Sequence, residues 1–110
     1  MIYWITGRSG SGKTTLAHKM QKQISDSIIL DGDEIREKYK IKTYTDDDRI
    51  ANLSYITAKA KVLEMKGITP IIACISPIKK ERKYFQSQFK NCLEIQLPFG
   101  CMWKGTIYEE

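Results

Sequence analysis

Gly7-Arg8-Ser9-Gly10-Ser11-Gly12-Lys13-Thr14, followed by Thr15, is the stretch that decides the fold of this 110-residue chain. Its spacing is Gly, four residues, Gly-Lys and then Ser or Thr, the pattern of a loop that cradles phosphate. Each residue type has a physical reason. Glycines permit a tight turn with positive φ and place no Cβ between the backbone N–H groups and a phosphate oxygen. Lys13 adds a mobile positive charge for the β- and γ-phosphates, and the Thr14 hydroxyl suits a Mg²⁺ ligand. A helix opening behind the loop turns its positive dipole end toward the same anion. Gly7, Arg8, Ser9, Gly10, Ser11, Gly12, Lys13, Thr14 and Thr15 are therefore expected to bind ATP, with Mg²⁺.

The flanks give the loop the setting it needs. Ile2 to Thr6 reads as a buried strand before it. Thr15 to Ile24 reads as a helix after it, with Leu16, Ala17, Met20 and Ile24 as an inward stripe. Ser27 to Asp31 is a second short strand, Glu34 to Tyr39 a short helix, and Lys40 to Tyr44 a polar connection. Thr45 is expected to cap a long helix, with Asp46, Asp47 and Asp48 in the first turn, where the dipole favours acids. Ile50, Leu53, Ile56, Ala60 and Leu63 form its apolar stripe, and Gly67 is placed to end it. Ile68 to Ile75 is apolar on both faces, as a central parallel strand is. Ser76 and Pro77 are expected to open a further helix as N-cap and first-turn residue. That helix runs to about Phe89, with Ile78, Arg82, Phe85 and Phe89 at helical spacing. Cys92 to Leu97 is a fourth strand, and Pro98 onward is irregular. This alternation predicts a three-layer α/β/α P-loop NTPase fold around a small parallel sheet of about four strands, in one domain over residues 1–110.

Composition narrows the functions. The net charge of +5 suits a protein that handles polyanionic small molecules. The basic residues are spread over helix faces rather than gathered in one run, so a nucleic-acid partner is not expected. Cys74, Cys92 and Cys101 have no metal-ligand spacing, and the first two sit in apolar strands as small core residues. His18 is the sole histidine, which argues against a zinc site or a Ser-His-Asp triad. The chain opens on its first strand and its apolar runs are too short to span a membrane, so a cytoplasmic location is expected.

Asp31-Gly32-Asp33 places two carboxylates at the carboxyl end of a strand, where open α/β sheets hold ligands. Asp33 is the candidate to orient or deprotonate an acceptor hydroxyl, and Asp31 to hold Mg²⁺ through water. An ordinary turn with exposed acids is the alternative. Arg36 lies one turn beyond Asp33, near the same rim, and Arg49 lies on the long helix; an arginine chosen at random is usually a surface residue.

Gly-Arg-Ser-Gly-Ser-Gly-Lys-Thr-Thr-Leu-Ala, Leu30-Asp31-Gly32-Asp33-Glu34-Ile35-Arg36, Asp48-Arg49 with Asn52, and Ile75-Ser76-Pro77 together resemble the adenylyl-sulfate kinase family. They occur in that family's order and near its spacing, over most of the chain up to the fourth strand. The resemblance implies transfer of the ATP γ-phosphate to the 3′-hydroxyl of a nucleotide such as adenylyl sulfate. It implies Asp33 as general base, with Lys13 on the phosphates. It implies Arg36, Arg49 and Asn52 on the acceptor nucleotide, Ile75 and Ser76 beside it, and Tyr44 stacked on the base. The exposed edge of so small a sheet also suits a homodimer, as the family suggests.

The chain departs from that pattern after the fourth strand. Family members are longer and carry a mobile basic lid there, whereas this sequence runs from Pro98 to Glu110 without one. Gly105 to Glu109 faintly resembles a later acceptor-binding segment of the family, with Trp103 or Phe99 as stacking candidates. Alternatively, the tail aromatics cover a sheet edge. Relatives that phosphorylate a cytidine diphosphoramidate in capsule biosynthesis share the same motifs, so the acceptor stays open. Another small-molecule kinase on this scaffold and a non-catalytic nucleotide-binding module are the other readings.

Overall fold

The structure is a computed structural model and describes residues 1–8, 10–41, 45–98 and 108–109. Strand β1 (Ile2–Gly7) leads through the glycine-rich loop into α1 (Lys13–Gln23). There follow β2 (Ser27–Asp31), α2 (Gly32–Lys38), α3 (Asp46–Met65), β3 (Thr69–Ala73), α4 (Lys79–Gln86) and β4 (Cys92–Leu97). The strands form one sheet in the order β2-β3-β1-β4, and all the pairings are parallel.

Side-chain alternation along β1 builds two cores. Ile2 and Trp4 face one side, with Leu30, Ile72 and Cys74, and are covered by Ile35 of α2, by Leu53, Ile56, Ala60 and Leu63 of α3, and by Phe85 of α4 with Phe89. Ile5 faces the other side with Ile71 and Ala73, under Ala17, Leu16 and Met20 of α1 and its C-cap Ile24. The sheet is thus sandwiched between α1 and the three remaining helices, the three-layer arrangement expected from the alternation. None of the described helices is long and apolar enough to cross a membrane.

Several local expectations are corrected. Helix α1 begins at Lys13 rather than Thr15, with Gly12 as N-cap in the left-handed region at φ 94°. Helix α2 begins immediately after β2, because the Asp31 side chain caps it. Strand β3 spans Thr69–Ala73, shorter than the apolar run around it. Ile50 is exposed, so the buried stripe of α3 starts at Leu53. Helix α4 ends at Gln86 rather than near Phe89 and begins at Lys79. Ser76 is therefore not its N-cap: that position is Ile78, which makes no side-chain cap bond. Cys74 is buried in the core, as expected, whereas Cys92 is half-buried and packs at the core margin. Tyr44, Ser9, Phe99, Cys101 and Trp103, on which other expectations fall, lie outside the described residues.

Candidate active site

A cleft of about 400 Å³ opens at the carboxyl ends of β1, β2 and β3, within the size range of small-molecule sites. One wall is the loop between β1 and α1. Gly10 and Gly12 adopt positive φ (77° and 94°), which L side chains rarely tolerate. Lys13 folds back over this loop: its Nζ donates to the carbonyls of Gly7 (3.1 Å) and Arg8 (2.9 Å) and reaches Ser11 Oγ at 3.5 Å. Half-buried there, its ammonium is shifted below its ordinary pKa by desolvation, with Cys74, Asp33 and Asp31 opposing the shift. A half-buried cation whose bonds among the described residues are to neutral groups is suited to receive an anion.

Asp31 joins the loop to α2. One carboxylate oxygen accepts from the backbone N–H groups of Asp33 (2.8 Å) and Glu34 (3.4 Å); the other accepts from the Thr14 hydroxyl at 3.2 Å. The first two contacts are an N-cap. The third brings a hydroxyl and a carboxylate to one point on the cleft, a hard-oxygen pair of the kind Mg²⁺ uses. Among the described residues no group of three or more His, Cys, Asp or Glu could hold a metal unaided. A magnesium ion here would need further oxygens from a ligand such as a phosphate.

Gly32, between the two acids, is a packing residue. A Cβ on it would stand 2.8 Å from Cys74 Cβ. Gly32→Ala is expected to destabilise the fold by about 1–3 kcal/mol, read as a lower urea midpoint. An unchanged midpoint would mean that Cys74 yields freely. Burial pushes the Cys74 thiol up to about 11, which leaves it unreactive at neutral pH.

The remaining wall comes from α2, α3 and the segment after β3. Asp33, Arg36, Arg49, Asn52, Ile75 and Ser76 all line the cleft with Gly10, Gly12, Lys13, Thr14, Thr15 and Asp31. Gly7, Arg8 and Ser11 stand outside the lining, with the Gly7 and Arg8 carbonyls holding Lys13. Arg49 is well buried and bound: its Nη2 donates to Asp46 Oδ1 (2.6 Å) and Glu81 Oε2 (3.1 Å), and its Nε to Glu81 Oε1 (3.3 Å). The Glu81 hydrogen bond is the main cause of its raised pKa. It ties α3 to α4 at the cleft. Asn52 is buried, yet its Oδ1 has no hydrogen-bond partner among the described residues. An orphaned buried acceptor in a cleft is costly without a donor to meet it.

Leu53, Cys74 and Pro77 also line the cleft and were not anticipated as site residues. Cys74 and Pro77 flank Ile75 and Ser76, and that adjacency is the sequence signal for them. Leu53 reads in the sequence only as a core residue of the long helix.

Residues 1–99 match the family model described as adenylylsulphate kinase. The chain is 31% identical over 99 residues to a probable adenylyl-sulfate kinase of Archaeoglobus fulgidus, covering 86% of this chain and 64% of that protein. It is 40% identical over 86 residues to the adenylyl-sulfate kinase of Bacillus velezensis, covering 74% and 44%. Among solved structures, Mycobacterium tuberculosis APS kinase CysC in complex with AMPPNP and APS superposes with a TM-score of 0.72 at 27% identity, over 87% of this chain and 61% of that one. The chain thus spans roughly half to two thirds of the length of these relatives.

Proposed function

Because the chain belongs to the adenylylsulphate kinase family and has its P-loop NTPase fold, we propose that it moves the γ-phosphate of ATP to the 3′-hydroxyl of a nucleotide of the adenylyl-sulfate class. The observation that carries this is the single cleft that holds both halves of such a reaction. Lys13, Thr14 and Asp31 stand on one wall, and Asp33, Arg36, Arg49 and Asn52 complete the lining.

The loop amides and Lys13 hold the triphosphate, and Lys13 exchanges its bonds to the Gly7 and Arg8 carbonyls for phosphate oxygens. Thr14 and Asp31 are the residues that would hold Mg²⁺, which supplies charge neutralisation at the phosphates. Asp33 orients the acceptor 3′-hydroxyl and takes its proton as the new O–P bond forms and the bond to the β-phosphate oxygen breaks, releasing ADP. Arg36 and Arg49 face the acceptor's anionic group, which a guanidinium fork suits. Asn52 Oδ1 accepts from the acceptor nucleotide and is thereby satisfied.

The test is ADP release with magnesium, ATP and each of three acceptors: adenylyl sulfate, cytidine diphosphoramidate and a simple sugar. Turnover with adenylyl sulfate alone is expected; turnover with either of the others instead would reassign the acceptor. Arg49→Ala is expected to raise the KM for adenylyl sulfate about tenfold or more, the size of a lost charge-assisted contact, with the KM for ATP unaltered. If neither KM moves, Arg49 is only the tie between α3 and α4.

A further inference from the structure

Beside the cleft, the segment Ile75–Pro77 is held in an unusual way. Ser76 has φ +38°, a left-handed backbone at a residue with a Cβ, a strained conformation that persists only when the surroundings impose it. Three successive carbonyls are gripped by three separate elements. The Thr6 hydroxyl on β1 donates to Ile75 O at 2.7 Å, Arg82 Nη1 on α4 to Ser76 O at 2.7 Å, and the Glu109 N–H to Pro77 O at 2.7 Å. Having given its one proton to Ile75, Thr6 Oγ1 is left to accept from the Ser76 and Tyr108 hydroxyls, both at 2.8 Å. The Trp4 indole N–H donates to Ser76 Oγ at 3.1 Å.

Tyr108 and Glu109 are the common element. Arg82, fully buried, donates Nη2 to Glu109 O at 2.7 Å and Nε to Glu94 Oε1 at 3.1 Å. Its guanidinium lies 5.1 Å from the Tyr108 ring centroid, and that of Arg8 in the phosphate loop lies 5.5 Å from the same ring. The Glu109 carboxylate accepts from the Lys79 N–H at 2.9 Å, supplying the cap that Ile78 cannot.

We propose that Tyr108, with Glu109 and Arg82, is a positioning residue: a latch that holds the strained Ser76 wall of the cleft in the shape that receives the acceptor nucleotide. The identity of what the wall receives rests on the kinase reading above; the latch itself does not. The Tyr108 hydroxyl meets Thr6 Oγ1, which holds the Ile75 carbonyl, so its loss is felt first on the Ile75–Pro77 wall.

The test compares Tyr108→Phe, which keeps the ring between the guanidinium groups and removes the hydroxyl, with Tyr108→Ala, which removes both. In the full chain without nucleotide, amide hydrogen exchange is followed at Lys79 and Glu109, with Ile71 in the sheet as reference. Losing one buried hydrogen bond, Tyr108→Phe is expected to speed exchange at Lys79 and Glu109 roughly tenfold and to leave Ile71 unchanged. The KM for adenylyl sulfate should rise by roughly threefold to tenfold with that for ATP constant, and Tyr108→Ala should exaggerate both effects. Unchanged exchange at Lys79 and Glu109 overturns the latch. So do equal rises in both KM values, which would mark general loosening. If the wild-type chain turns over no acceptor, the kinase reading fails, and the exchange measurement alone decides the latch.

Discussion

Lys13→Ala is expected to lower the rate of phosphoryl transfer by about two to three powers of ten, the loss of a preorganised charge at developing phosphate charge. The physical case starts from what Lys13 now touches. Its Nζ is bonded to two carbonyls and a hydroxyl of its own loop. Desolvation already weighs against its charge. A phosphate that replaces those neutral partners gains a half-buried cation, and an alanine leaves the phosphate charge there unmatched. Because Lys13 spans only its own loop, the unfolding midpoint should stay near that of the wild type. Single-turnover kinetics with saturating ATP and adenylyl sulfate would measure the loss. A rate within about tenfold of the wild type would remove Lys13 from the transition state.

Asp33→Asn is the second large effect. Its expected loss in kcat is about a hundredfold to ten-thousandfold, the usual worth of a positioned general base. Affinity for ATP should be retained, because the role proposed for Asp33 is on the acceptor hydroxyl. The two neighbouring acids make this a discriminating experiment. Asp31 already caps α2 and meets Thr14, so changing it disturbs the helix and the phosphate side together. Asp33 sits in the first turn of the same helix, with its backbone N–H on Asp31, so the amide substitution leaves the cap in place. Titration with a non-hydrolysable ATP analogue separates the outcomes. A loss of binding as large as the loss of turnover would move Asp33 from the acceptor to the metal.

The phosphate loop, the order of strands and helices and the layers of the sheet were legible because they are written locally. The Gly-Lys-Thr spacing, the Thr45 cap that accepts from the Asp48 N–H and the Gly67 stop at φ 77° each specify their own neighbourhood. Asp31-Gly32-Asp33 was half legible. Its position at a strand end pointed to the cleft, but a helix expected only from Glu34 missed that Gly32 is pressed against Cys74 and that Asp31 starts a helix at once. Ser76-Pro77 misled because Ser-Pro is a good local helix start, whereas the Ser76 hydroxyl is engaged by Trp4 and Thr6, about seventy residues earlier in the chain. Helix α4 is capped instead by Glu109, thirty residues onward. Arg82 fell on the right face by spacing, but nothing nearby in sequence announced Glu94 and Glu109 as its partners. What escaped the sequence is therefore the set of bonds closed by distant segments, and these shape the Ile75–Pro77 wall of the cleft.

Everything proposed for the reaction depends on the β1–α1 loop holding a nucleoside triphosphate. Calorimetric titration of the purified chain with a non-hydrolysable ATP analogue and magnesium measures this directly. Saturable binding at one site per chain, weakened in Lys13→Ala and kept in Asp33→Asn, is the predicted result. A folded wild-type chain that releases no heat and shows no saturation with the analogue would contradict it.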